Sequence, residues 1–350
     1  MLRSTTLPEI CSSTEEGSWF PILREVQFVY TKGRSPRILV IVDAPGWAHD
    51  FKTRNLARVL HPDYEIVERF QNELTHTDLE QSDLVLVYYW HQLSRMSVPP
   101  AEIKRYREKL LCGICGHYEL DGPMRESGID SLHQFASAVF VNNFYLLREF
   151  RPLLNMPVFY TPNGVDTAFF RPGPDRVASL TSGGFRAGWA GSLSNQGREL
   201  RGYDDFIVPA VKCVEGIELM TAAREDQWRS PEEMREFYQS LDVYLCASRF
   251  EGTPNPCLEA AACGVPVVTT RVGNMPELIS GGINGFLVDR TVDDFASKLA
   301  LLKDDLPLRE EMRRAARAHI AAWDWKLQAG NYRKMFEEVL LRKENGRSTR

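Results

Sequence analysis

The chain lacks long apolar runs and an excess of basic residues, and we expect its first residues not to act as a secretory signal. No stretch approaches the roughly 18 consecutive apolar residues that a membrane-spanning helix needs. The 42 Lys and Arg residues against 47 Asp and Glu residues give a net charge of -5, whereas nucleic-acid-binding domains usually carry a basic face. Residues 1–36 contain four glutamates and no apolar core of the kind that a signal peptide has. We therefore expect no membrane span, no bulk nucleic-acid binding and no secretion.

Cysteine is sparse as well, with seven residues scattered along the chain. An odd number without paired spacing favours a reducing compartment, so we predict a cytoplasmic protein. Cys112 and Cys115 form the one C-x-x-C pair. A zinc site would need a second pair or histidines at ligand spacing, and a redox site would need a thioredoxin-like context. Because neither is visible, we interpret both as buried strand cysteines.

Short apolar runs of strand length recur along the chain in two series. The first lies at residues 36–43, 83–88, 109–114, 138–141 and 157–160, and the second at 186–190, 217–220, 243–247, 265–269 and 285–288. Continuous apolar runs are typical of parallel strands covered on both faces, and helical stretches lie between them. A length of 350 residues suffices for two cores. We predict an α/β protein with two Rossmann-like, doubly wound domains.

The domain division follows from these two series. Residues 1–36 are predicted to be an N-terminal extension, 37–162 the first Rossmann-like domain, 163–322 the second, and 323–350 a C-terminal helical segment. The last helix is predicted to run to about Leu341. Residues 101–111 have an amphipathic pattern with a basic face. That pattern predicts a helix that covers the sheet, with docking on an anionic membrane surface as the alternative.

A turn at residues 251–256 carries the chemistry. The apolar run at 243–247 is ended by Gly252 and Pro254, and a short helix at 256–263 follows, with Asn255 as its N-cap. The N–H groups and dipole at such a helix start suit a phosphate or diphosphate. Glu251 and Glu259 bracket the turn, and carboxylates beside an anion are better read as acceptors for sugar hydroxyls. The alternative is an ordinary turn with two solvated glutamates.

The pattern Glu, seven residues, Glu within EGTPNPCLEAAACGVPVVTT resembles the donor-site signature of retaining GT-B glycosyltransferases of family 4, the glycosyl transferases group 1. Residues 160–166, 271–278 and 284–289 resemble the segments that surround that signature. This resemblance implies two domains facing a central cleft, with the acceptor on the first and a nucleoside diphosphate sugar on the second. It implies hexosyl transfer with retention of configuration, to a glycan, a small molecule or a lipid-linked acceptor. It also implies that the last helix returns to the first domain.

The resemblance assigns roles to individual residues. It places Glu259 on the nucleotide ribose, Glu251 near the hexose hydroxyls and Arg201 on the diphosphate. Family members usually carry Gly-Arg-Leu where this chain has Gly191-Ser192-Leu193, so Arg198 is a candidate for the missing charge. The predicted catalytic residues are Glu251, His117 and Arg201, and the predicted donor-binding residues are Gly191, Ser192, Arg198, Gly252, Thr253, Pro254, Asn255, Pro256 and Glu259.

The acceptor side is predicted from the ends of the first strands, where open α/β sheets bind ligands. Gly46, Trp47 and His49 lie in the loop after the first strand. His117 follows another strand and resembles the histidine on the acceptor side of the family's cleft. Packing roles are the alternative for Trp47 and His117, and His91 is left open between the two roles. No Asp-x-Asp motif is visible, so we expect no required metal ion and no cofactor.

Three other functions were weighed. The glycines at 183–191 do not fall as G-x-G-x-x-G, which argues against a dinucleotide site. A hydrolysing UDP-sugar 2-epimerase-like enzyme would use the same architecture, but the paired glutamates count against it. A non-catalytic sugar-nucleotide-binding subunit is the remaining alternative, favoured only by Ser192 in place of arginine.

Overall fold

A computed structural model describes residues 34–116, 123–173 and 184–348, and it contains two parallel sheets. The first has the strand order β2-β1-β3-β4-β5-β6, and every neighbouring pair runs parallel. Its strands are β1 (Arg37–Val42), β2 (Glu65–Phe70), β3 (Leu84–Val87), β4 (Leu110–Ile114), β5 (Ala138–Val141) and β6 (Val158–Tyr160). The residues of β3, β4 and β5 are all buried, which explains their continuous apolar sequence.

The second sheet has the order β11-β10-β9-β7-β8 and is also parallel. Its strands are β7 (Phe185–Gly191), β8 (Ile217–Ala223), β9 (Val243–Cys246), β10 (Val267–Thr269) and β11 (Gly285–Leu287). Buried apolar side chains on both faces form its core, among them Leu245, Leu258 and Phe295. The predicted α/β fold of two doubly wound sheets is confirmed.

Helices connect the strands and cover both sheets. The α-helices are α1 (Ala48–Leu60), α2 (His76–Gln81), α3 (Pro100–Ile103), α4 (Pro123–Phe135), α5 (Phe144–Phe150), α6 (Asn195–Arg201), α7 (Val208–Lys212), α8 (Pro231–Gln239), α9 (Asn255–Ala262), α10 (Met275–Leu278), α11 (Val292–Asp304), α12 (Leu306–Ile320) and α13 (Trp325–Ser348). No helix in the described ranges is both long enough and apolar enough to cross a membrane.

The carboxyl edges of the two sheets face each other. In the first sheet the strand order reverses between β1 and β3, because β2 is added on one side of β1 and the later strands on the other. In the second sheet the order reverses between β7 and β9. Such switch points leave a crevice at the carboxyl ends of the strands, where ligands bind in open α/β sheets. Asn143, which follows β5, donates a hydrogen bond to the carbonyl of Gly252, which follows β9, at 3.0 Å. The two crevices therefore lie on facing walls of one cleft.

The last helix packs against the first sheet. The Tyr332 hydroxyl of α13 donates to the carbonyl of Thr161 at 3.1 Å, and Lys343 Nζ donates to the carbonyl of Asp83 at 2.8 Å. The chain passes from one sheet to the other near Val165 and again near Asp324, and these two residues form an isolated parallel β-bridge. The position of the domain boundaries at residues 162 and 322 stays a prediction.

Three local expectations need correction. Strand β2 was missed, because Glu65, Glu68 and Arg69 interrupt its apolar pattern, as an edge strand permits. Residues 101–111 are not one amphipathic helix, since α3 passes into a 3-10 turn at Lys104–Lys109 and then into β4. The last helix runs to Ser348, beyond the predicted end at Leu341. Cys112 and Cys115 are buried, as expected.

Candidate functional site

Helix α9 begins at the carboxyl edge of β9, and its first turn lies at the switch point of the second sheet. Pro254 occupies the cap position, and Asn255 and Pro256 are the first helical residues. The prediction that Asn255 caps the helix is therefore wrong by one position. The side chain of Asn255 does not cap the helix, because its Oδ1 accepts a hydrogen bond from Asn163 Nδ2 at 3.1 Å. In this first turn the Asn255 amide donates to the Thr253 carbonyl at 3.0 Å and the Cys257 amide donates to the Pro254 carbonyl at 2.9 Å, and Pro256 has no N–H. The start of the helix therefore attracts an oxyanion through its dipole.

Gly252 brings this turn into direct contact with the opposite wall. A Cβ atom there would lie 1.5 Å from the carbonyl oxygen of Cys115 and 2.6 Å from Asn142 Nδ2. Behind it, Gly273 has a φ of +54°, and a Cβ there would lie 2.5 Å from the carbonyl oxygen of Gly252. Glycine is therefore required at both positions, because the backbone segments approach too closely for a side chain.

Glu251 and Arg201 form an ion pair beside the turn. Arg201 Nη1 lies 3.2 Å from Glu251 Oε1, which also accepts a hydrogen bond from the Ser248 hydroxyl at 2.9 Å. The Glu251 carboxylate raises the pKa of Arg201, so the guanidinium stays charged. A Cβ at Gly191, the last residue of β7, would lie 3.2 Å from Arg201 Cδ, so glycine leaves room for the arginine stem. The end of α6 and the loop after β9 thus bring one cation and one anion to the same place.

Glu259 lies one turn into α9 and is held by a buried tyrosine. The Tyr238 hydroxyl donates to Glu259 Oε2 at 2.7 Å. Burial raises the pKa of Glu259 to about 6, although the hydrogen bond from Tyr238 acts in the opposite direction. The group is thus mainly ionised at pH 7 and becomes protonated under mildly acid conditions.

Glu225, which follows β8, binds the loop after β7 at the place where the family resemblance implies a cation. Glu225 accepts hydrogen bonds from the Leu193 amide at 2.7 Å, the Ser194 amide at 3.1 Å and the Ser192 hydroxyl at 2.5 Å. The Leu193 amide and the Ser192 hydroxyl lower the pKa of Glu225 to about 2. Arg198 pairs with Asp204 at 2.6 Å. Arg198, which was predicted to supply the missing positive charge, is therefore already paired with the Asp204 carboxylate.

The predicted acceptor residues lie together at the end of β1. Asp43 Oδ1 is 3.4 Å from His49 Nδ1, and the His49 ring stacks on Tyr88 with 4.4 Å between centroids. Burial lowers the pKa of His49 in spite of the opposing Asp43 carboxylate, so the imidazole is neutral near pH 7. Trp47 is 49% exposed, and the Gly46 amide donates to Asp50 Oδ2 at 2.6 Å. His117 lies outside the described residues.

Several buried polar atoms near the turn have no partner. Asn163 Oδ1, Thr253 Oγ1 and both side-chain polar atoms of Asn274 make no hydrogen bond within the described part of the chain. Asn163 is bonded through its other atom to Asn255, and Asn274 adjoins the glycine that packs on Gly252. Buried polar groups are nearly always hydrogen-bonded. Such orphaned atoms indicate a polar ligand at this place.

Glu277 bridges the two walls and was missed from the sequence. Its Oε1 accepts from the Phe144 amide at 2.6 Å, and its Oε2 accepts from the Tyr160 hydroxyl at 2.5 Å. Burial raises the pKa of Glu277 to about 6, although both donors act in the opposite direction. The partners are 133 and 117 residues away in the chain. No local pattern therefore marks this glutamate as a contact between the sheets.

Solved structures define the class of this fold. Anabaena Alr3699/HepE, crystallised with UDP and glucose, matches with a TM-score of 0.67 at 14% identity, over 87% of this chain and 100% of that chain. Sucrose-phosphate synthase from Thermosynechococcus elongatus also matches with a TM-score of 0.67, at 13% identity, over 87% of this chain and 99% of that chain. The fold is GT-B, that of two-domain glycosyltransferases.

Sequence comparisons then identify the family that the chain resembles. The pattern of the family described as Glycosyl transferases group 1 matches residues 227–319, which include Glu251, the turn and Glu259. The D-inositol 3-phosphate glycosyltransferase of Corynebacterium jeikeium is 38% identical over 112 residues, 32% of this chain and 27% of that protein. The D-inositol 3-phosphate glycosyltransferase of Paenarthrobacter aurescens is 37% identical over 109 residues, which are 31% of this chain and 27% of that protein. The chain matches about a quarter of the length of these curated relatives. The resemblance to glycosyl transferases group 1 is confirmed.

Proposed function

We propose that the protein is a retaining glycosyltransferase that moves a hexosyl group from a nucleoside diphosphate sugar to an acceptor in the cleft. The observation that carries the proposal is the convergence of the α9 first turn, Arg201 and Glu251 at the switch point of the second sheet. The family match over the same residues supports it. Among structures with the same fold, Anabaena HepE was crystallised with UDP and with UDP-glucose.

Each group has a role in holding the donor. The positive end of the α9 dipole and the guanidinium of Arg201 bind the diphosphate. Thr253 supplies a buried hydroxyl that has no partner in the described part of the chain and can bond to a phosphate or sugar oxygen. Glu259 accepts from the ribose hydroxyls, and Glu251 accepts from the hexose hydroxyls.

Catalysis then depends on the leaving group. The bond between the anomeric carbon and the diphosphate oxygen breaks, and the diphosphate gains negative charge. The α9 dipole and Arg201 stabilise that charge more strongly in the transition state than in the ground state. A bond forms between the anomeric carbon and an acceptor oxygen, whose proton passes to a diphosphate oxygen. We propose that Arg201 and the helix dipole neutralise the charge without a required divalent ion or cofactor.

The acceptor enters from the opposite wall. Asp43 orients His49, whose neutral imidazole can hydrogen-bond an acceptor hydroxyl. The acceptor class stays a glycan, a small molecule or a lipid-linked molecule, and the proposed compartment is the cytoplasm. Contacts such as Asn143 to Gly252 hold the walls together and exclude water, which limits hydrolysis of the donor.

Radiolabelled UDP-, GDP- and dTDP-sugars test the proposal directly. The proposed retaining glycosyltransferase keeps the anomeric configuration in its product and, without acceptor, slowly releases the unmodified sugar from one donor. Inversion of the configuration would contradict the retaining mechanism. Release of an epimerised sugar would instead indicate a 2-epimerase-like enzyme. Binding without turnover would indicate a non-catalytic subunit, an alternative that Ser192 and its partner Glu225 favour because they replace a cation by an anion. An unchanged rate after addition of a chelator is expected.

A further inference from the structure

An arginine is held between two tryptophans at the mouth of the cleft. The Arg224 guanidinium carbon lies 4.2 Å from the Trp47 ring centroid and 5.1 Å from that of Trp228. Trp47 follows β1 of the first sheet, whereas Arg224 and Trp228 follow β8 of the second. The two indoles remain 49% and 52% exposed. The two exposed indoles adjoin the same guanidinium, so they form one apolar patch beside the cleft, and such patches mark binding surfaces.

The surrounding backbone fixes this arrangement. Asp50 Oδ2 accepts from the Gly46 amide at 2.6 Å and from Arg54 at 2.9 Å, which holds the loop that carries Trp47. Gly46 has a φ of +70°, and a Cβ there would lie 3.3 Å from the Trp228 ring. The Arg224 amide donates to the carbonyl of Gly191 at 3.0 Å, continuing the pairing of β7 with β8. The guanidinium is therefore preorganised before any ligand binds.

Within residues 34–116, 123–173 and 184–348, no carboxylate pairs with the Arg224 guanidinium, whose side-chain partners there are the two indoles. The adjacent Glu225 is bonded to the loop after β7. Other arginines near the cleft have carboxylate partners, as Arg54 has Asp50 and Arg201 has Glu251. Stacking occupies the faces of a guanidinium and leaves its N–H edge for an oxyanion.

We propose that Arg224, Trp47 and Trp228 form a subsite for an oxyanion, a phosphate or a carboxylate, carried by the acceptor. The proposal rests on the proposed glycosyl transfer, because it adds an anionic group to the acceptor of that reaction. The loop that bears Trp47 also bears His49, so an acceptor can bond His49 through a hydroxyl and Arg224 through its charged group. The bidentate guanidinium gives the acceptor one orientation, which selects the hydroxyl that is glycosylated.

Calorimetric titration tests the subsite with matched probes. Glucose 6-phosphate, glucuronate and glucose are titrated into the full chain, with and without UDP. The wild type is expected to bind at least one anion about tenfold or more tightly than glucose, since a hydrogen bond to a charged group contributes at least that factor. Arg224→Gln should abolish this preference, and Arg224→Lys, which keeps the charge but loses the planar fork, should retain part of it.

Arg148→Gln is the matched control, because Arg148 also stacks on an aromatic ring, Tyr145, at 5.6 Å, but lies on α5 outside the subsite. It should keep the wild-type preference. Circular dichroism and thermal melting confirm that each variant is folded. Retention of the preference in Arg224→Gln would overturn the subsite and leave the stack as a contact between the walls.

Vesicles distinguish a lipid headgroup from a soluble anion. Co-sedimentation with phosphatidylcholine vesicles is compared with and without phosphatidic acid. Arg224-dependent binding to the anionic vesicles alone assigns the oxyanion to a lipid, and binding of the sugar anions alone assigns it to a soluble acceptor. Binding of neither overturns the subsite. A UDP thermal shift of the wild type is measured separately, so failure of the donor assignment is distinguished from failure of this subsite.

Discussion

Replacing Gly252 by alanine should separate the two walls of the cleft. The added Cβ would lie 1.5 Å from the carbonyl oxygen of Cys115, whereas real Cβ atoms stay beyond 3.0 Å of such neighbours. That oxygen belongs to the backbone and also accepts from Asn142 Nδ2 at 3.1 Å, so it cannot swing aside as the end of a flexible side chain would. A backbone shift of at least about 1.5 Å is therefore needed.

The size of the effect follows from this shift. Overpacking costs about 1–3 kcal/mol, and loss of the hydrogen bond from Asn143 to the Gly252 carbonyl costs about 1 kcal/mol more. The protein should melt at a lower temperature. The catalytic loss should be larger, because a displacement of about 1 Å can reduce a rate about 100-fold. The displaced turn is the one that holds the diphosphate.

Turnover of a labelled donor and thermal melting measure both quantities. Gly281→Ala is the control, since no atom lies within 4 Å of a Cβ placed there and its φ is not positive. The control should keep the wild-type rate and melting temperature. Wild-type turnover and stability in Gly252→Ala would refute the conclusion that the walls meet at this glycine.

Three further predictions concern the glutamates. Glu251→Gln should reduce transfer about 100-fold or more, as loss of a transition-state contact does, while circular dichroism shows an intact fold; an unchanged rate would contradict its role. Tyr238→Phe removes the donor that lowers the pKa of Glu259, so the acid limb of the pH profile of donor KM should move above about 6; a limb that stays in place would count against this role of Glu259. For Glu277, burial raises the pKa from 4.5 to about 6, so the folded protein binds a proton that the unfolded chain has released. The stability of the wild type relative to Glu277→Gln should therefore fall by about 2 kcal/mol as pH rises from 4.5 to 6, and denaturation at several pH values would reveal a flat difference if this is wrong.

The central strands and the phosphate-ready turn could be predicted because their signals are local. A strand buried on both faces must be apolar throughout, as Leu84–Val87 and Val243–Cys246 are. Glycine and proline mark the turn before α9, since each has a narrow conformational use. The edge strand Glu65–Phe70 was not predicted, because an edge strand is only partly buried and tolerates charged side chains that break the apolar pattern.

The contacts between the walls could not be predicted in the same way. Glu277 with Tyr160, and Arg224 with Trp47, join residues far apart in sequence. Neither pair has a spacing that a helix or strand period would reveal. The role of Glu225 could not be predicted either, because a surface carboxylate after a strand is common. Only the structure shows that the Leu193 amide donates to it. Such side chains are recognised only after the sheets have been assembled.

A crystal structure of the protein with UDP tests the central claim most directly. The account predicts the diphosphate at the start of α9 and within hydrogen-bonding distance of the Arg201 guanidinium, with the ribose on Glu259. Thr253 Oγ1, which has no partner among the described residues, should gain one. Nucleotide density at any other place, with the first turn of α9 empty, would contradict the account.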